Sequence, residues 1–276
     1  MLPSLPVENP AAPGSPCIAG LRALADTVAM IAVTTRLALG YSAMLVHAFT
    51  RRGLLRRADV VAGLVRQIHF TGVQALPYVC VVALLFGAVV VTQALSLLGP
   101  DNEVVLKAVV WGGICELGPL VTALIIIVRS SVSIAAEVAL MRLRSGISDA
   151  LWCDAAHEEE VVLPRVVGVA VASAMLVAFF QFVAVVAAML TAAATLGSTI
   201  EAELSHFLTG AAWWQVPFSI AKALFFGAGI GAISCYHAMH IPNDIAAVPK
   251  AVVAAGIGSL SFVIAVDLFA VLLLLA

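Results

Sequence analysis

Long apolar runs set the fold class of this chain. Residues 74–98 and 166–196 contain no charged side chain; residues 108–135 contain Glu116 and Arg129, residues 211–236 contain Lys222, and residues 251–275 contain Asp267. About 20 apolar residues carry a helix across the hydrocarbon core, where every backbone polar group must be paired within the protein. Each run exceeds that length, so the chain reads as an all-α integral membrane protein with five transmembrane helices. Composition agrees: 63% of residues are hydrophobic and 11% charged, against about 25% charged in soluble domains. The formal net charge of −2 leaves no basic surface for nucleic acid.

Ahead of the first run the pattern changes. Residues 1–17 are Pro-rich and lack the basic start of a signal peptide, and they read as a disordered tail. Residues 18–72 are expected to form interfacial amphipathic helices. Thr27 to Phe49 is long enough to cross with Arg36 near its centre, but Arg22, Asp26 and the basic run Arg51–Arg57 favour a helix lying along the surface. Residues 60–72 read as a second amphipathic piece feeding into the first span. Arginines 51, 52, 56, 57 and 66 precede that span, Arg142, Arg144 and Arg165 separate the second and third, and Lys250 separates the fourth and fifth. The loop 197–210 has Glu201 and Glu203 and no Lys or Arg. The positive-inside rule therefore puts the N-terminus and the 137–165 connection in the cytoplasm and the C-terminus outside. No clear internal repeat is present, which argues against an inverted-repeat transporter.

Three ionisable groups fall deep in the runs: Glu116, Lys222 and Asp267. A charge at the bilayer centre costs roughly 3 kcal/mol or more, so such residues are paired, functional or both. Two readings stand: an ion-paired network fixing helix register, or a polar patch that lines a cavity or couples motion. Arg66 and Arg129 are candidates for a lipid headgroup phosphate. Gly118 and Pro119 are a candidate hinge. Beyond the second run, residues 137–160 form a charged elbow. Glu137 to Ser145 reads as a short amphipathic helix ended by Gly146, Ser148-Asp149 as the cap of the next, and Glu158–Glu160 as a solvated face. Such an elbow docks into a soluble partner or merely connects spans. The five scattered cysteines read as small core residues. His237 and His240 lack a clear third ligand, with Asp244 the nearest, so no metal is expected. Trp213-Trp214 reads as an interface anchor. There is no P-loop, GxSxG or HExxH motif, so ATP binding of the P-loop kind and hydrolase chemistry are absent from the expectation.

The order Glu116-Leu117-Gly118-Pro119, Arg129, Ala136-Glu137, Met141-Arg142 and Pro164-Arg165 resembles the permease subunits of MCE-type lipid ABC transporters, the MlaE/YrbE family. The similarity extends from about residue 55 to 276 and takes in Arg66-Gln67, Lys222, Ile233-Ser234 and Asp267. Departures are Cys115 and Val128, where the family usually has Arg and Gly, Arg144-Ser145-Gly146 in place of T-E-Q, and Asp154 to His157 in place of G-V-D-P. The resemblance implies that residues 73–276 form a non-catalytic permease domain of a homodimer in the bacterial inner membrane. It further implies cytoplasmic ABC ATPase subunits that bind ATP and Mg, a periplasmic ring of MCE proteins, a phospholipid or related substrate, and no cofactor in this chain. On this reading Glu137, Met141, Arg142 and Arg144 couple to the ATPase. Two rivals remain: an ion-coupled secondary transporter or channel built on Glu116, Lys222 and Asp267, and a non-transporting membrane scaffold.

Overall fold

The computed structural model describes residues 58–98, 103–145, 155–197, 199, 201, 205, 214–242 and 244–275. The tail 1–17, the interfacial stretch as far as residue 57, the Ser148-Asp149 cap and Trp213 lie outside the described residues. Within them every regular element is a helix. In chain order these are α1 (Ala58–Thr71), a 3-10 turn (Val73–Ala75), α2 (Leu76–Leu98), α3 (Glu103–Ile126), a π-helical turn (Ile127–Ser131), α4 (Val132–Ser145), α5 (Ala155–Leu196), α6 (Gln215–Met239), a second 3-10 turn (Ile245–Ala247) and α7 (Val248–Leu275). They make five rods long and apolar enough to span a membrane: Val60–Leu97, Gly112–Arg144, Val161–Leu196, Gln215–Met239 and Ile245–Leu272. The five-span all-α expectation holds.

Helix ends depart from the expected span ends at three places, for one reason. Charges mark where apolar sequence stops; backbone hydrogen bonding runs past them. α1 joins α2 through a single turn in which Gly72 N donates to Ile68 O at 2.7 Å and Ala75 N to Gly72 O at 3.0 Å. Residues 137–145 are not a separate elbow helix but the end of a rod that begins at Glu103. α5 starts at Ala155, ahead of the expected residue 166, and passes through Pro164. Its 42 residues extend about 63 Å, twice the roughly 30 Å hydrocarbon core. Both long rods therefore continue beyond the bilayer at the end that carries Arg142, Arg144 and Arg165.

Close contacts fix the direction of each rod. Gly63, Gly72 and Gly87 lie against Pro164, Ala172 and Ala184, so α1–α2 runs parallel to α5. Gly118 lies against Phe180 and Glu137 against Arg165, so the rod from Glu103 to Ser145 runs antiparallel to α5. Gly227 and Gly231 lie against Ala170 and Val166, while Gly229 and Gly258 meet Phe262 and Ile233, so α6 is antiparallel to both α5 and α7. α6 is the most enclosed rod, with 61% of its apolar window buried against 28% for the α1–α2 and α7 rods. A hydrophobic driving force does not hold helices together in lipid, so small residues and interhelical hydrogen bonds do that work. On α6 the small residues are Gly227, Gly229 and Gly231, and Ser173 Oγ of α5 donates to Ala223 O at 2.6 Å.

A Cβ on Gly227 would collide with Ser173 Oγ and approach Val169 O to 2.7 Å and Ala170 Cα to 2.8 Å. Two of these are backbone atoms and cannot step aside. Gly227→Ala should destabilise the purified protein by about 1–3 kcal/mol, read as a fall in thermal unfolding temperature in detergent. Gly256 has nothing within 4 Å of its Cβ position, and Gly256→Ala should be neutral or stabilising by up to about 1 kcal/mol through helix propensity. Equal behaviour of the two variants would refute the close α5–α6 packing.

Candidate functional site

The three intramembrane charges come from three different rods and meet at one point. Lys222 Nζ of α6 donates to Glu116 Oε1 of α3 at 2.6 Å and lies 2.7 Å from Asp267 Oδ1 of α7. Both carboxylates therefore lie within ion-pairing distance of the one ammonium. The Lys222 side chain is 4% exposed, those of Asp267 and Glu116 17% and 29%. The ammonium also lies 5.9 Å from the Phe226 ring centroid, at the outer limit of a cation–π contact. One cation between two carboxylates leaves the site with a formal charge of −1, with Glu116 the most accessible member. Beside it Gln181 of α5 donates to Ser219 Oγ of α6. Gln215, Ser219, Lys222 and Phe226 follow at i, i+4, i+7 and i+11, one face of α6. Gln181 Oε1 and Gln215 Oε1 are buried without a protein donor.

A second polar level ties the same rods together. Ser234 Oγ of α6 lies within hydrogen-bonding distance of Ser131 Oγ, at 2.8 Å, and Ser131 Oγ lies 3.4 Å from Ser259 Oγ of α7. All three serines are buried. Twelve residues separate Lys222 from Ser234 on α6, so the levels stand about 18 Å apart. Sequence reasoning missed the hydroxyl level. A lone serine in an apolar run usually bonds its own helix, as Ser234 also does to Ile230 O at 2.6 Å.

Gly118 and Pro119 do not interrupt α3, which continues to Ile126 with Thr122 Oγ1 donating to Gly118 O at 2.8 Å. Gly118 instead admits the Phe180 ring, 3.1 Å from where a Cβ would stand. The change of helical register comes later, in the π turn Ile127–Ser131. Arg129 sits in that turn. Its Nη2 donates to Gln74 Oε1 at 2.7 Å, and its guanidinium lies 5.5 Å and 5.8 Å from the Phe70 and Tyr78 ring centroids. Arg129 thus grips the α1–α2 turn, and its Nη1 is buried without an acceptor. Its fellow headgroup candidate, Arg66, has a side chain 75% exposed.

At the basic end Glu137 Oε1 lies 3.4 Å from Arg66 Nη2 and 3.3 Å from Arg165 Nη2. Arg165 also donates to Val161 O at 2.7 Å and reaches Met141 Sδ at 3.5 Å. One carboxylate therefore joins α4 to α1 and α5. Of the four expected coupling residues, Glu137 faces arginines of its own chain, Arg142 is buried, and Met141 and Arg144 are exposed. The described residues contain no group of three or more metal-ligating side chains. His240 Nδ1 lies 2.9 Å from Tyr236 O, and Asp244 caps the following 3-10 turn by accepting from Ala246 N.

The same segments decide the family. Residues 64–273 match the family described as Permease MlaE. This chain belongs to the MlaE permease family. Two curated relatives are named probable ABC transporter permease protein. The one from Rickettsia prowazekii is 29% identical over 200 residues, covering 71% of this chain and 76% of the relative. The one from Rickettsia typhi is 28% identical over the same length and shares. A third, from Rickettsia felis, is 29% identical over 203 residues, with the same coverage. The matched region contains Glu116, Lys222 and Asp267, both helical extensions at the basic end, and the hydroxyl level.

Truncating the shared cation leaves two carboxylates facing each other in a low-dielectric site, a change that costs about 3–5 kcal/mol when one partner of a buried pair is removed. Lys222→Ala should therefore lower the unfolding temperature sharply. The triple change Glu116→Gln, Lys222→Met, Asp267→Asn should recover most of that stability while leaving transport impaired. Wild-type stability of Lys222→Ala in the same detergent would remove the network from its structural role.

Proposed function

We propose that this permease is the membrane subunit of an ATP-driven ABC transporter that moves phospholipid or a related lipid between the inner membrane and the envelope. The observation that carries the reading is the match to the MlaE permease family over residues 64–273, and relatives named as ABC transporter permeases support it. The chain works as a homodimer in the bacterial inner membrane, with the basic end in the cytoplasm. ATPase subunits dock on that end, and MCE proteins assemble on the opposite side. ATP and Mg belong to the ATPase, and this chain supplies no cofactor site.

The geometry suits that division of labour. α4 and the first turns of α5 extend beyond the bilayer and expose Leu140, Met141 and Arg144. α4 is continuous with α3 through the π turn, so displacement at residues 140–144 is carried along one rod to Glu116. From there the ion pairs to Lys222 pass it to α6 and α7. Exposed apolar faces on α2 and α7 suit acyl chains, and the exposed Arg66 guanidinium suits a headgroup phosphate.

A mild-detergent pull-down from the native host, followed by mass spectrometry of protein and lipid, tests the assembly. Co-elution of an ATPase, an MCE protein and phospholipid is expected. Gradient-driven flux in vesicles containing this chain alone would overturn the reading in favour of an ion-coupled transporter. Arg144→Glu should reduce ATPase recovery about tenfold, equivalent to about 1.4 kcal/mol, without altering membrane insertion. Glu137→Ala should act instead on the bundle, lowering thermal stability by roughly 1–2 kcal/mol through loss of a partly exposed bridge. An unchanged pull-down with Arg144→Glu would exclude the exposed end of α4 as the docking surface.

A further inference from the structure

Where α6 ends and α7 begins, the bundle holds an apolar groove of about 530 Å³, within the roughly 300–1,000 Å³ typical of small-molecule sites. Its floor is one face of α7: Pro249, Val253 and Ile257 at i, i+4 and i+8, with Lys250 and Ala254 alongside and His237 of α6 opposite. Gly258 lets α7 approach α6 closely beside the groove, because a Cβ there would meet Ile233 Cγ2 at 3.1 Å and His237 Nε2 at 3.3 Å. Val253 is 59% exposed and Ile257 51%. The exposed apolar stripe continues along α7 through Leu260, Ile264, Leu268 and Leu272, so the groove opens onto the lipid-facing surface of the rod.

Charge is confined to the rim. Lys250 is exposed and makes no ion pair among the described residues, and the carboxylate of the exposed Asp244 is turned to Ala246 N. Lys250 and His237 thus place a cation and an imidazole beside the apolar trough. The trough lies at the same end of the bundle as Arg66, Arg142, Arg144 and Arg165, because α6 runs toward that end and α7 away from it.

We propose that this groove binds an anionic phospholipid of the surrounding leaflet, with the phosphate on Lys250 and one acyl chain along Val253 and Ile257. The site is distinct from the Glu116–Lys222–Asp267 level, since Asp267 stands ten residues beyond Ile257 on α7, about 15 Å along the helix. Basic pockets between transmembrane helices recognise anionic headgroups in this way, by charge at the interface and apolar contact below it. The inference depends on the chain being embedded in a membrane and not on ATP-driven transport, so it can fail while the transporter reading stands, and the reverse.

Photolabelling tests it. The full chain is reconstituted without ATPase into phosphatidylcholine nanodiscs carrying phosphatidylglycerol with a diazirine in its acyl chain, and adducts are mapped by peptide mass spectrometry. Adducts on Val253, Ala254 or Ile257 are expected. They should fall about five-fold in Lys250→Gln, the factor associated with one basic side chain at an anionic surface, and survive in Lys250→Arg. Labelling of Val81 and Leu85 on the lipid-facing side of α2 should stay constant in all variants. Equal labelling by a phosphatidylcholine probe, or equal labelling in Lys250→Gln, would overturn the proposal. So would an unlabelled groove with efficient disulfide formation between two copies of Val253→Cys, which would assign the groove to a second copy of the chain. Lys250 is exposed, so its substitution leaves the core intact, and an unchanged unfolding temperature verifies this.

Discussion

The bundle depends on one lysine held between two carboxylates. Lys222, Glu116 and Asp267 each carry a charge into a region where an isolated charge is costly, and each makes the others tolerable. Because they lie on α6, α3 and α7, the cost is relieved only when those three rods stand in one register. A slide by a single turn, about 5.4 Å, would break both contacts and leave buried charges unpaired. Close packing at Gly227, Gly229 and Gly231 adds a steric penalty for slippage of α6. The charged level therefore acts chiefly on specificity of assembly, and the serine level below it repeats the constraint on the same rods with neutral hydroxyls.

The change of helical register at Ile127–Ser131 ends on the hydroxyl level, since Ser131 belongs to both. A π turn releases the i→i−4 ladder and tends to coincide with functional positions. Here it presents Arg129 to the turn between α1 and α2, where Gln74, Phe70 and Tyr78 receive the guanidinium. The long α3–α4 rod is thus fastened at three heights: at Glu116 to α6 and α7, at Arg129 to the first rod, and at Glu137 to Arg66 and Arg165. Ionic contacts at the first and third of these heights join this rod to all four others.

The two ends of the bundle differ in kind. One end gathers Arg66, Arg142, Arg144, Arg165, Lys250 and the helical extensions. The other approaches the Lys222 level, where Gln181, Ser219 and Gln215 add neutral polar groups to the seam on α6. Between the ends, α2 and α7 turn Val81, Leu85, Ile264 and Leu268 outward, toward acyl chains.

The number of spans and the membrane class were legible in the sequence, because hydrocarbon imposes a length and a composition on any run that crosses it. Glu116, Lys222 and Asp267 were legible as unusual for the same reason: charge is rare where its solvation is lost. The sequence alone left open which partner each would find. Tertiary structure decided that Lys222 serves both carboxylates and that Glu137 turns to its own chain's arginines. It also decided that Arg129 grips Gln74 and that Ser131, Ser234 and Ser259 form one hydroxyl level. These are pairings between residues 28 to 128 positions apart. Hydropathy is a property of each segment by itself, whereas a pairing depends on the relative register and rotation of rods, which exist only once the helices have packed.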